Sequence, residues 1–197
     1  MSPADATRRP LALAIVLILT GALGLWSSFE LTLGKLAVLA DPNTDLSCNF
    51  SVLVQCGANL DSWQGSVFGF PNPIIGLGGF AIVIAVGMAL LAGARFAAWF
   101  WLLFNLGVLG AYVFVCWLQY QSIFELGTLC PWCMTTWLAT IPLFWTLTLW
   151  NARAGHFGRA LRPAGRALYS WVPLITLLNY VAIAAVAQVR LDVLAFL

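Results

Sequence analysis

Polar residues are sparse along this chain and arrive in clusters, leaving long apolar runs between them. Crossing the hydrocarbon core of a bilayer takes roughly 20 mostly apolar residues in a helix. Five runs meet that length: Leu11 to about Phe29, Pro73 to about Leu91, Phe96 to about Leu118, Leu129 to Trp150, and Trp171 to about Val189. The first is followed by further spans and lacks an A-x-A-like exit, so it reads as a retained span and not as a cleaved leader. The pattern predicts an all-α membrane protein with five transmembrane helices, without internal repeats or low-complexity segments.

Composition agrees with the pattern. Of 197 residues, 62% are hydrophobic and 8% charged, against about 45–50% and about 25% in an ordinary soluble domain. A compact globule of this size cannot hide so much apolar surface. That excludes a soluble enzyme, a disordered regulator and a nucleic-acid binder, and a net charge of +2 implies no polyanionic partner.

The few charges matter through their positions. Arg8 and Arg9 precede the first span, Arg95 lies between the second and third, and Arg153, Arg159, Arg162 and Arg166 fill the segment before the fifth. With alternating helices all of these fall on one side. The other side receives Lys35 and Arg190 together with Asp41, Asp45, Asp61, Glu125 and Asp192. The excess of Lys and Arg marks the cytoplasmic face, which predicts a multi-pass protein of the cell (inner or plasma) membrane, N-terminus cytoplasmic and C-terminus external. The basic segment 153–168 is then a cytoplasmic loop that sets topology, and His156 within it reads as a lone exposed histidine without a catalytic or metal role.

That topology gathers four of the five cysteines on the external face. Cys48 and Cys56 lie in the long loop between the first two spans, and Cys130-Pro131-Trp132-Cys133 opens the fourth helix. Structural disulfides persist outside the cytoplasm, so two inert staples are one reading. A C-x-x-C loop closes almost no chain, however, and is a poor staple. At a helix N-terminus, unpaired N–H groups and the helix dipole stabilise a thiolate, the usual setting of a redox cysteine. Pro131 suits the first helical turn, and Trp132 and Trp137 make the surroundings aromatic and lipid-level. Four thiolates also form tetrahedral zinc sites, but cysteines on an oxidising face close disulfides sooner. Cys116 stands alone in the third span and reads as a small packing residue. A transporter is a further class, though Glu30 is the nearest candidate for a charge within a span.

Two cysteine pairs at a membrane face can pass a disulfide between them through mixed intermediates. Two electrons must then leave, and the chain carries no flavin or dinucleotide fingerprint. A lipid-soluble quinone is the natural sink.

With these residues in view, the chain resembles the vitamin K epoxide reductase (VKOR) family, specifically its bacterial quinone-dependent disulfide-forming members, over residues 8–152. The resemblance rests on Cys48 and Cys56 in C-x7-C, Ser62 six residues on, the segment from Val67 to Pro73, and the Gly127–Cys133 motif opening the fourth helix. It implies a four-helix transmembrane bundle around a quinone pocket with an external loop at 34–72. The stretch 169–197 would then be a fifth transmembrane helix and external tail.

It further implies that Cys48 and Cys56 take electrons from a separate DsbA-like protein of thioredoxin fold. Cys56 would attack toward Cys130, and Cys133 would face the quinone, menaquinone or ubiquinone. Asn72 would hydrogen-bond a quinone oxygen, against the competing role of a turn residue before proline. Trp137 stands where animal members carry a tyrosine, its indole N–H being the available donor. Ser62 is a further candidate for the pocket. No metal is expected. The competing class is a structural tetraspan-like membrane protein with two inert external disulfides.

Overall fold

A computed structural model of the protein describes residues 10–196; Arg8 and Arg9, which enter the charge argument, lie outside the described residues. Among the described residues seven α-helices follow one another: α1 Leu11–Ala40, α2 Gly57–Asp61, α3 Pro73–Leu91, α4 Ala98–Tyr120, α5 Pro131–Ala154, α6 Arg162–Tyr169 and α7 Val172–Leu191. Among the described residues no strand forms beyond one isolated bridge between Val54 and Leu129. The protein is an all-α membrane protein, and four helices (α1, α3, α4 with its extension to Leu126, and α7) are long and apolar enough to cross a membrane.

α5 is as long as a span at 24 residues, but threonines dilute its hydropathy. The reason is its place in the packing. It lies at the centre, against α1, α4, α6 and α7, so much of its surface meets protein and not lipid. Three of its hydroxyls are satisfied inside the helix: Thr135, Thr136 and Thr140 each donate to the carbonyl four residues back. Pro142 has no N–H to give the Leu138 carbonyl, and Tyr180 of α7 donates its hydroxyl there instead, at 2.9 Å. The interruption in one helix thus becomes a docking point for another.

α1 runs 11 residues past the end expected at Phe29. Its 30 residues make about 45 Å, against a hydrocarbon core of about 30 Å. The extension is held by tertiary contact: Leu31 packs with Leu46 and Leu60 of the following loop. Lys35, counted on sequence grounds among the charges of one membrane face, is buried and donates to the Leu60 carbonyl at 2.6 Å. The loop after α1 therefore begins at Asp41 and not at residue 34.

α1 and α3 form the tightest seam. A Cβ on Gly24 would collide with the Phe80 ring, and one on Gly76 with the Ser28 side chain. α3 and α4, in contrast, barely touch.

The segment 153–168 is more than a loop. Gly155, at φ 89°, ends α5, a 3-10 turn spans Arg159–Leu161, and α6 then folds back on the end of α5. The Arg162 guanidinium donates to the Ala154 carbonyl at 2.8 and 3.2 Å. His156 is half-buried and not exposed, its Nδ1 lying 2.8 Å from Asn151 Oδ1. Burial, with the Arg162 charge nearby, holds its imidazole pKa below the ordinary 6.5.

Candidate functional site

At one end of the bundle, short-range hydrogen bonds assemble the cysteines. Asn49, next to Cys48, accepts from the Cys56 and Gly57 N–H groups at 3.0 and 3.3 Å through Oδ1. It thereby serves the first turn of α2, whose own N-cap residue offers no side-chain bond. Three ties join this loop to the segment entering α5. Leu129 N–H donates to Leu53 O at 2.8 Å and Gln55 N–H to Leu129 O at 3.1 Å, while Asn59 Nδ2 donates to Thr128 Oγ1 at 2.8 Å. The loop is thus pinned against the residue immediately before Cys130.

Cys48 and Cys56 form a disulfide, while Cys130 and Cys133 are free thiols. Cys130 Sγ lies 3.2 Å from Cys56 Sγ, and both residues are 0% exposed. Cys130 also caps α5, accepting from Cys133 N–H at 3.4 Å. Cys133 packs against the same cluster from the next turn. One pair is closed, and a sulfur of it lies against a thiol of the other. Cys116 stays outside this cluster on α4. Among the described residues no group of three or more His, Cys, Asp or Glu is placed to hold a metal.

Cys133 also belongs to the wall of a cavity of about 850 Å³ lying between α1, α3, α4 and α5. That volume is within the usual range for small-molecule sites. The walls are overwhelmingly apolar, and exposed Ile82 of α3 and Leu103 of α4 line the open side, where these two helices part. Ser62, Asn72 and Trp137 line it as well, so the three further candidate residues share one space with Cys133.

Their surroundings differ. Ser62 Oγ donates to Asn59 O at 2.8 Å, closing its own turn. Asn72 is tied twice: Oδ1 accepts from Val67 N–H at 3.1 Å and Nδ2 donates to Gln64 O at 2.6 Å, leaving one amide hydrogen uncommitted. The turn role and the cavity position thus coexist in one residue. Trp137 is buried, and no hydrogen bond from its indole N–H to the described residues is seen.

Three residues of this region have no site role on sequence grounds. Lys35 holds α2 through Leu60. Gln64 and Gln121 line the cavity and bond to each other, Gln64 Nε2 donating to Gln121 Oε1 at 3.1 Å. A glutamine within the aromatic stretch from Trp63 to Phe70, and another at the end of an apolar span, were the available signals. Gln121 opens a π-helical turn, Gln121–Leu126, that links α4 to the Gly127–Cys133 motif. Ser122 Oγ donates to Thr128 O and Thr128 N–H to Ser122 O, locking that turn to the motif. Single π-turns inside helices gather at functional sites.

In comparison with protein families, the model of the vitamin K epoxide reductase family fits residues 15–148, more than half of the chain. No curated protein matches.

Proposed function

The chain belongs to the vitamin K epoxide reductase family, and from that premise we propose that it makes disulfides for exported proteins and passes the electrons to a membrane quinone. Membership makes it a membrane oxidoreductase. The finer reading rests above all on the 3.2 Å approach of Cys130 Sγ to Cys56 Sγ, beside a cavity that Cys133 lines.

In this reading residues 8–152 are the catalytic core, with the N-terminus and the basic 153–168 segment cytoplasmic, the fifth helix following and the C-terminus external. The partner is a thioredoxin-fold, DsbA-like dithiol protein on the external side. A thiolate of the reduced partner attacks Cys48 and releases Cys56; the partner's second thiol then closes the partner's own disulfide. Cys56 attacks Cys130 of a closed Cys130–Cys133 pair, forming a Cys56–Cys130 bond and releasing Cys133. Cys48 next attacks Cys56, which restores the outer disulfide and frees Cys130. The outer pair is then oxidised and the inner pair reduced, the state that the structure holds.

Closing Cys130–Cys133 again requires an acceptor for two electrons and two protons, and a quinone, becoming quinol, supplies that. The acceptor's potential must lie above that of the thiol partner, about 30 mV for every 1.4 kcal/mol of drive. The cavity fits such a substrate: apolar walls for a flat ring, a few polar groups for its oxygens, and an open side facing lipid. Asn72 and the Trp137 indole N–H are the donors for those oxygens, Cys133 the thiol that faces the ring, and Ser62 a residue of the cavity's rim.

Steady-state quinone reduction by the purified protein with a dithiol donor, compared across Cys→Ala variants of the four cysteines, tests this. Turnover is expected to stop without Cys130 or Cys133; turnover retained in either variant overturns the reading.

A further inference from the structure

Gln64 is only 7% exposed, yet its Oε1 is a buried oxygen with no hydrogen-bond partner among the described residues. Leaving a buried polar atom unmatched costs on the order of 1–3 kcal/mol. Its Nε2 donates to Gln121 Oε1, so in this arrangement the Gln121 amide oxygen faces Gln64. The Gln121 Nε2 donor is left without a protein acceptor among the described residues, on a side chain that lines the cavity. Backbone contacts hold both ends of this arrangement. Asn72 grips the Gln64 carbonyl, and Gln121 begins the π-turn anchored at Thr128.

We propose that Gln121 binds an oxygen of the quinone through its Nε2, and that Gln64 is the positioning residue that presents this donor. This rests on the quinone reading above. A quinone carbonyl only accepts hydrogen bonds, and Gln121 Nε2 donates. The quinol product carries hydroxyl groups and donates in turn. A half-turn of both amides reverses the pair: Gln121 Nε2 then donates to Gln64 Oε1, and Gln121 Oε1 faces the cavity as an acceptor. Nothing on the protein side pins the Gln64 amide in one sense, because the atom that would be pinned is the unmatched one. One glutamine pair therefore serves substrate and product with the same side chains.

A merely structural Gln64–Gln121 bond makes a different prediction. Gln64→Leu and Gln121→Leu both remove that single bond, so a clamp gives the two variants equal effects. A binding role makes Gln121→Leu the more harmful to quinone affinity.

The probes are a dimethylnaphthoquinone whose ring positions beside the carbonyls are blocked against thiol addition, and the matching dimethylnaphthalene without oxygens. Binding to the full-length protein is followed by quenching of tryptophan emission and by inhibition of turnover. Gln121→Leu is expected to weaken naphthoquinone binding about five- to tenfold, the size of one neutral hydrogen bond. Hydrocarbon affinity and the KM for the dithiol donor stay unchanged, and Gln64→Leu weakens quinone binding by less. Gln121→Met, close in volume, is the second variant should the leucine variant fail to fold, with the same expectation.

Equal losses in Gln64→Leu and Gln121→Leu, or an unchanged preference of the Gln121 variants for quinone over hydrocarbon, overturn the assignment while wild-type turnover keeps the quinone reading. A wild-type protein that reduces no quinone removes that reading and this inference together.

Discussion

Both ends of the bundle bury polar side chains, and they use them in opposite ways. At the far end from the cysteines, Asn151 is 0% exposed and donates to Asn105 Oδ1 at 3.0 Å and to Trp101 O at 3.4 Å. His156 closes the set on Asn151 Oδ1, its ring lying over Trp101 with centroids 6.0 Å apart. None of the unmatched buried polar atoms belongs to Asn151, Asn105 or His156. At the cysteine end Gln64 Oε1 is unmatched, Gln121 Nε2 has no protein acceptor among the described residues, and two thiols stand free beside a disulfide. A satisfied polar network holds helices in one arrangement. Groups left with spare bonding capacity are those able to take up a ligand or exchange a covalent bond. One end is a clamp, and the other is where chemistry is proposed.

The predictions test that contrast. The largest effect is expected from Cys133→Ala, which should reduce dithiol-driven quinone reduction to background, read by quinone absorbance, with the fold retained. Next, Cys48→Ala leaves Cys56 no outer partner, so a Cys56–Cys130 bond should accumulate on oxidation. Peptide mass spectrometry under acid quench detects it, and its absence breaks the proposed relay. Asn72→Ala should act on both counts. It strips partners from Val67 N–H and Gln64 O, at a cost on the order of 1–3 kcal/mol in stability, and it should raise the quinone KM several-fold more than the dithiol KM.

Asn151→Leu, at the clamp, should cost a similar amount of stability with both KM values and the rate per folded molecule unchanged; a selective rise in the quinone KM would erase the distinction between the ends. The smallest effect is with pH. His156 is held below its ordinary pKa, so the folded state binds its proton less readily than the unfolded chain. The contribution of the network to stability is complete above 6.5 and declines as pH falls below it. The melting temperature in detergent should drop on acidification in the wild type, and this component should vanish in His156→Phe.

How far the chain announces all this differs by feature. The helical spans and the cysteine spacing are legible because they depend on runs and local offsets: α3 begins and ends where the pattern says, at Pro73 and Leu91. The extension of α1 to Ala40 is not legible, because it depends on Leu46, Leu60 and the Leu60 carbonyl arriving from another segment. For the same reason Lys35 reads as a loop charge and His156 as an exposed one. α6 hides in a basic segment whose charges argue topology before structure. The Asn72 cavity position is legible by resemblance, but its two turn bonds are not, since both partners are main-chain atoms with no sequence signature. The Gln64–Gln121 pair joins residues 57 positions apart through a π-turn that local propensity does not announce.

The central claim is that Cys130 and Cys133 form the pair that delivers electrons to the quinone while Cys48 and Cys56 only load it. Single-turnover mixing of fully reduced protein with excess quinone tests this most directly. Cys48→Ala, which keeps the inner pair, should consume about one quinone per protein, the two-electron stoichiometry of one dithiol, and Cys133→Ala should consume none. Equal consumption by the two variants, or consumption by Cys133→Ala alone, would contradict the account.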